Sequence, residues 1–556
     1  MKRPNSPPSP RDSSPAEDSD NLTSVPTIVD RGSAQQEATS QGNLSRRPTN
    51  LDNVELERIN TYRLQHRSTV GSGPGRAPRE QWLPMGAGKE YPPELPDPEQ
   101  FVVEFTDSKD PMHPQNWSLK KKITISFVLA YTTFVSSFAS AIYSSAVTTL
   151  APYFHISTEV ATLGVTLYVL GFASGPTIWA PASELIGRRW PIIVGMFGYS
   201  VFTVATATSK DVQTLMLTRF FAGFFSASPI AIVPAVYADM WNNQTRGVAI
   251  AIFAMAVFVG PFASPFTGGF ITMSYLGWRW TMYISSIMGF LALGLCVLFL
   301  RETYAPAVLV EKAITLRRQT HNWGIRARQE EVELDWEELI TNNFSRPFRM
   351  LFTEPIVFLI SLWMSFVYGL MYALLGAYPV VFQKIHGMNL GVGSLPFIGL
   401  IIGEFLAGLY ILYDQKSYSK KLAANNDVPI PEWRLPPLYP WRHLLYRCGV
   451  ATGFGIFVIF LQCFNYLIDS YLTFAASVFA ANTIIRSSVG AAFPLFAKQM
   501  FVNLGVQWAG TLLGCLALIM VPIPLAFIKW GPALRKKSKF APSMPSPTEK
   551  ETSATV

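Results

Sequence analysis

A chain of 556 residues that is 49% hydrophobic and only 15% charged leaves no room for an ordinary soluble domain beside its apolar stretches. Its net charge of +8 would suit nucleic acid in a soluble protein, but here the basic residues concentrate in alternate connecting loops, the mark of a polytopic membrane protein. The four cysteines, Cys296, Cys448, Cys463 and Cys515, show neither metal-ligand nor paired extracellular spacing and read as small packing residues.

Residues 1–120 are polar and Ser/Pro-rich, as in Pro7-Pro8-Ser9-Pro10 and Gly71-Ser72-Gly73-Pro74-Gly75, and are expected to form a disordered cytoplasmic tail. No apolar core stands near the start, so no cleavable signal peptide is expected. Eleven apolar stretches follow, at about 123–143, 159–181, 190–208, 213–236, 247–271, 279–300, 355–381, 394–413, 446–467, 471–494 and 505–528. Each approaches the roughly 20 residues a helix needs to cross a bilayer. The fold class is therefore an all-α polytopic membrane protein. It divides into a bundle of six spans (121–300), a cytoplasmic central loop (301–353), a second bundle (354–530) and a cytoplasmic tail (531–556).

Orientation follows from Lys and Arg. Lys120, Lys121 and Lys122 precede the first span, Arg188 and Arg189 follow the second, and Arg246 follows the fourth. The central loop holds Lys312, Arg317, Arg318, Arg326, Arg328, Arg346 and Arg349, whereas the 144–158 loop has no Lys or Arg. The N-terminus and the central loop are thus expected in the cytoplasm. Val332–Ile340, with acids on one side and Leu334, Trp336, Leu339 and Ile340 on the other, reads as a short interfacial helix or a solvated linker. The rule then breaks. Eleven crossings would deliver the basic tail, with Lys529, Arg535, Lys536, Lys537 and Lys539, to the outside. Between residues 414 and 446 the sequence offers no twelfth span, so one helix near 440 is missing from an expected six plus six.

Short motifs name the architecture. Ala180-Pro181-Ala182-Ser183-Glu184-Leu185-Ile186-Gly187-Arg188-Arg189 resembles the loop signature of the major facilitator superfamily, with Glu184, Gly187, Arg188 and Arg189 in register and Ala180 and Leu185 departing from it. Arg219 with Gly223 resembles the family's Arg-x-x-x-Gly motif. Gly260-Pro261-Phe262-Ala263-Ser264-Pro265-Phe266-Thr267-Gly268-Gly269 resembles its antiporter signature, with Ser264 replacing a glycine. Longer strings, among them Gly277-Trp278-Arg279-Trp280, Glu302-Thr303-Tyr304-Ala305-Pro306 and Asn465-Tyr466-Leu467-Ile468-Asp469, are similar to the fungal twelve-spanner drug:proton antiporters over roughly residues 115–540. That resemblance implies two bundles rocking about a midplane site, with a small organic compound such as a metabolite, toxin or drug leaving across the plasma membrane as protons enter. It also implies that the family's ninth span is absent here, through a deletion or a faulty gene model.

The residues themselves supply candidates. Glu404, in the middle of a span, is the candidate proton carrier, and Arg219 and Arg486 are intramembrane charges that tune such a site, bind an anion or hold helices together. Asp239 is expected to meet Arg188 or Arg189 as a cytoplasmic latch. Gly260, Pro261, Pro265, Gly268 and Gly269 form a kink of close helix approach. Tyr368 and Tyr372, four apart on one face, are path-lining candidates, whereas Tyr143 and Tyr378 suit the membrane interface. No P-loop, His pair at metal spacing or Gly-x-Ser-x-Gly occurs, so no enzyme, cofactor or metal is expected, and no nucleic acid. The partners are the substrate, protons and lipid, and the protein is expected to be a monomer. An uptake symporter of the same superfamily and a truncated, inactive transporter are the alternatives.

Overall fold

The computed structural model describes residues 98–107, 109–242, 244–331, 345–424, 430–434, 449–471, 475–520 and 522–538. Residues 1–97, the amphipathic 332–340 stretch, the region near 440, Cys448 and the tail beyond Ser538 lie outside them. Eleven helices among the described residues are long and apolar enough to cross a membrane. In chain order, spans 1 to 11 are Leu119–Tyr153, Thr158–Leu185, Arg189–Thr208, Val212–Met240, Arg246–Met273, Arg279–Phe299, Pro355–Ile385, Val392–Ala424, Gly449–Ser470, Ser477–Asn503 and Gly505–Pro524.

Local sequence sets their ends. Ser157 Oγ accepts from Val160 N at 3.2 Å and Asp211 Oδ2 from Thr214 N at 2.7 Å, satisfying N–H groups that the first turns of spans 2 and 4 leave open. Pro355 opens span 7, where its missing N–H costs nothing.

Two helix pairings recur in both halves. Span 2 packs on span 4 as span 8 packs on span 9, and span 1 packs on span 5 as span 7 packs on span 10. Glycines make the first pairing close. A Cβ on Gly223 would lie 2.1 Å from Tyr168 O, and one on Gly453 would lie 2.1 Å from Leu400 O. The halves meet along spans 2 and 10 and along spans 5 and 8, two contacts that a two-fold axis would exchange. Span 3, wedged against spans 4 and 6, has no counterpart among the described residues. Span 11, the counterpart of span 6, is correspondingly uncovered: only 12% of its apolar window is buried, against 33% for span 6.

The ends sort into two faces. The face that carries Lys120, Arg188, Arg246 and Arg434, here the basic face, gathers contacts such as Tyr237 Oη to Ser126 O (2.7 Å) and Tyr471 Oη to Glu354 Oε2 (3.0 Å). Gly449 lies near Tyr378, Pro396 and Gly399, at the opposite face, while Asp469 at the other end of span 9 pairs with Arg246 and Arg434. Between Arg434 and Gly449 the chain therefore changes faces. Fourteen residues intervene, which as an α-helix would rise about 21 Å against roughly 30 Å of hydrocarbon. With this change of face, eleven spans leave the described C-terminal end on the same face as Lys120. Helix Pro522–Lys537 ends on the basic face, where Arg535 pairs with Glu432.

One correction concerns the segment expected to be disordered as far as residue 120. Residues 98–118 dock on helix Ala305–Thr320: Val103 N donates to Arg326 O at 2.8 Å, and Val103 packs with Ala313 and Ala327. Asp110 anchors this strap, accepting from Met112 N (2.9 Å) and Thr106 N (3.1 Å) and pairing with Lys312 Nζ (3.2 Å). Burial works against the charge of its carboxyl, but these donors outweigh it and hold the group below the ordinary carboxylate range.

Candidate functional site

At the basic face the loop between spans 2 and 3 is built as its residues predict. Gly187 turns the chain at φ +97°, where a side chain is strained. Arg188 Nε meets Asp239 Oδ2 at 3.3 Å, Arg188 Nη1 donates to Ser183 Oγ at 2.7 Å, and its guanidinium lies 4.8 Å from the centre of the Tyr304 ring. Burial disfavours the Arg188 charge, yet Asp239, Glu184 and Tyr304 outweigh it and hold the group above its ordinary value. Glu302 was missed. Its Oε1 accepts from the backbone N–H groups of Arg188, Thr303 and Tyr304, each at 2.9 Å, and its Oε2 from that of Arg189 at 3.1 Å. The Glu-Thr-Tyr string following span 6 is the only signal in the sequence that could have found it.

The bundles are tied together at the same face. Asp469 takes Arg246 of span 5 at 3.4 Å on one oxygen, and Arg434 Nε (3.1 Å) and Tyr418 Oη (3.2 Å) on the other. Arg434 also donates to Gln415 Oε1 at 3.1 Å, and Gln415 Nε2 donates to Gln244 O at 3.1 Å. Both bundles thus contribute to one buried polar network, which spacing alone did not reveal because its members lie far apart in sequence.

The antiporter-like segment runs as one helix through Pro261 and Pro265. Its glycines serve contact: a Cβ on Gly260 would lie 2.7 Å from Phe138 N, one on Gly268 2.2 Å from Ser145 Oγ, and one on Gly269 2.9 Å from Leu390 O.

Deeper, two buried guanidiniums flank the seam. Arg219 donates to Gly164 O (3.0 Å) and Ala139 O (3.2 Å) and lies over the rings of Tyr168 and Tyr143, at 4.3 and 4.8 Å. Tyr143, expected at the membrane interface, is instead fully buried, because Arg219 needs its ring face more than water needs its hydroxyl. Arg486 lies over Tyr368 (4.6 Å), Phe460 (4.9 Å) and Phe464 (5.7 Å). Tyr368 and Tyr372 sit together, hydroxyls 3.5 Å apart, and Tyr372 donates across the seam to Ser140 Oγ at 2.7 Å. Glu404 is fully buried in span 8, and neither of its oxygens has a hydrogen-bond partner among the described residues.

Such a paired-bundle seam with buried charge is the plan of a membrane transporter. The profile of the Major Facilitator Superfamily matches residues 129–494. The chain belongs to that superfamily. This facilitator is 48% identical over 468 residues to an uncharacterized transporter of Schizosaccharomyces pombe, covering 80% of this chain and 87% of that one. It is 45% identical over 482 residues to the major facilitator superfamily multidrug transporter FLU1 of Candida albicans, covering 82% of this chain and 79% of that one. Among solved structures, the proton:xylose symporter XylE matches with a TM-score of 0.51 at 15% identity, over 74% of this chain and 96% of that one, a likeness of fold alone. The facilitator is a transporter and not an enzyme.

Proposed function

We propose that this protein exports a small organic compound across the plasma membrane in exchange for protons, with its basic face and N-terminus in the cytoplasm, acting as a monomer. Export of a drug-like compound is supported by the relative named as a multidrug transporter. The observation that carries proton exchange is Glu404. It is a fully buried carboxyl whose oxygens find no hydrogen-bond partner among the described residues. A charge there has no hydrogen-bond partner among the described residues to compensate it, which suits the group to carry a proton and exchange it when rocking admits water. The Arg188–Asp239 pair stiffens the loop beneath the first bundle, and the Asp469 network is the latch that must part for the basic face to open. Tyr368 and Tyr372 line the path between them.

Reconstituted vesicles loaded with a labelled drug test this reading. An inward proton gradient is expected to drive efflux from wild type. Glu404→Gln is expected to lose that gradient response at least tenfold while retaining gradient-free exchange of labelled for unlabelled drug. Gradient-driven accumulation instead of efflux indicates uptake symport. The missing counterpart of span 3 favours a second reading, an inactive truncated transporter, which predicts no movement in either direction.

A further inference from the structure

The two buried arginines differ in how their charge is met. Arg219 has two carbonyl acceptors as well as two tyrosine faces. Arg486, only 2% exposed, has aromatic rings alone: no acceptor among the described residues takes a hydrogen bond from it, and its Nε is sealed from solvent without a partner. Neither guanidinium pairs with a carboxylate among the described residues, whereas the buried Arg188 and Arg434 of the basic face both do. Five donors in a planar fork, held between ring faces, make a seat for a planar anionic group. Rings satisfy part of the charge but none of the hydrogen-bonding capacity.

Position turns this seat toward a ligand. Tyr368, over which Arg486 lies, touches Tyr372, whose hydroxyl bonds Ser140 of the first bundle. Phe460, a second wall, stacks edge-on against Phe258 of span 5 at 4.5 Å. Walls that bridge the two bundles are the ones that separate when the bundles rock, so opening uncovers Arg486. Arg219 lies on the first-bundle side of the same cluster, bonded to Ala139 beside Ser140, with one Nη2 unpartnered. The seam thus has two positive groups and aromatic walls, with no carboxylate among the described residues paired to either guanidinium.

We propose that Arg486 binds the negatively charged group of the transported compound, so that the substrate class is organic anions with a flat apolar body. This rests on the export reading for its transport meaning, but the binding claim stands apart from proton coupling. The full-length protein in lipid nanodiscs, without any gradient, is titrated with fluorescein, an anionic xanthene, and with rhodamine 6G, a cationic one, following fluorescence anisotropy. Saturable fluorescein binding that rhodamine 6G does not displace is expected. Arg486→Gln should raise the fluorescein Kd at least tenfold, and Arg486→Lys, which keeps the charge but loses the fork, should raise it less. Preference for rhodamine 6G, binding of neither dye, or an unchanged fluorescein Kd in a folded Arg486→Gln protein overturns the proposal. The charge preference of wild type is decisive even if Arg486→Gln does not fold. Fluorescein binding without gradient-driven efflux would leave this inference standing and defeat proton exchange, whereas efflux of a cation alone would do the reverse.

Discussion

Glu302 shows how much one side chain can organise. Four backbone N–H groups converge on it, and a Cβ on Gly187 would lie 2.5 Å from its Oε2. Glu302→Ala leaves those donors without a partner in a part-buried site, each worth about 1–3 kcal/mol when unsatisfied, so a clear fall in the thermal midpoint of the purified protein is expected. Gly187→Ala combines left-handed strain of about 1–3 kcal/mol with that clash and should fall similarly, whereas Gly294→Ala, with nothing within 4 Å of its Cβ, should not. At this scale the sequence was a partial guide. It brought out the Gly187 turn and the Arg188–Asp239 pair, because a charged residue at the end of span 4 and the loop after span 2 share one face of the bundle. It misplaced Tyr143, because nothing local tells which tyrosine a buried arginine will recruit. The Asp469 network joins residues 223 apart, beyond the reach of any local pattern.

Among elements, spans 8 and 9 are locked by two glycines set against backbone. A Cβ on Gly403 would come 2.0 Å from Val450 O, and one on Gly453 2.1 Å from Leu400 O. Alanine at either position must push the helices apart, costing about 1–3 kcal/mol, while Gly510→Ala, with open space around it, serves as the silent control in the same thermal assay. The strap of residues 98–118 offers a pH test. Because the Asp110 carboxyl is held below the ordinary aspartate range, its contribution to docking is fully present above that range and is lost as pH falls through the lower folded value. The protection of strap amides relative to their intrinsic exchange rate at each pH is expected to hold from about pH 8 to about pH 5 and to fall only in stronger acid. Asp110→Asn should lower it already at neutral pH. Most span boundaries were legible to within about five residues, since apolar length is a strong signal, but spans 1, 8 and 10 run on to Tyr153, Ala424 and Asn503, past the expected ends at 143, 413 and 494. The strap was not, because its docking depends on Val103 finding Ala313 and Ala327 far along the chain.

For the whole molecule, the internal two-fold resemblance is the firmest guide. Spans 1, 2, 4, 5 and 6 have counterparts in 7, 8, 9, 10 and 11, and the gap falls where span 3 should be repeated. The odd count of apolar stretches was visible in the sequence, but the face on which span 9 begins was not, because hydropathy measures length and carries no direction. Two measurements follow. Accessibility tags placed before Lys120 and after Ser538 are expected on the same side of the membrane. The transcript across residues 430–455 is expected to encode about 20 further apolar residues, restoring the counterpart of span 3; a transcript matching the chain as it stands would make the fourteen-residue connection genuine.

That connection has a consequence for biosynthesis. Arg442, His443 and Arg447 immediately precede span 9, and such charges instruct the insertion machinery to keep that end in the cytoplasm. The folded position of Gly449 demands the reverse. A ribosome making this chain would therefore release a nascent protein whose last three helices follow those signals and stand opposite to the folded arrangement. Reaching the folded arrangement then requires inverting them after synthesis, so slow maturation and heavy loss to quality control are the expected cellular phenotype of the chain, whatever its transport chemistry.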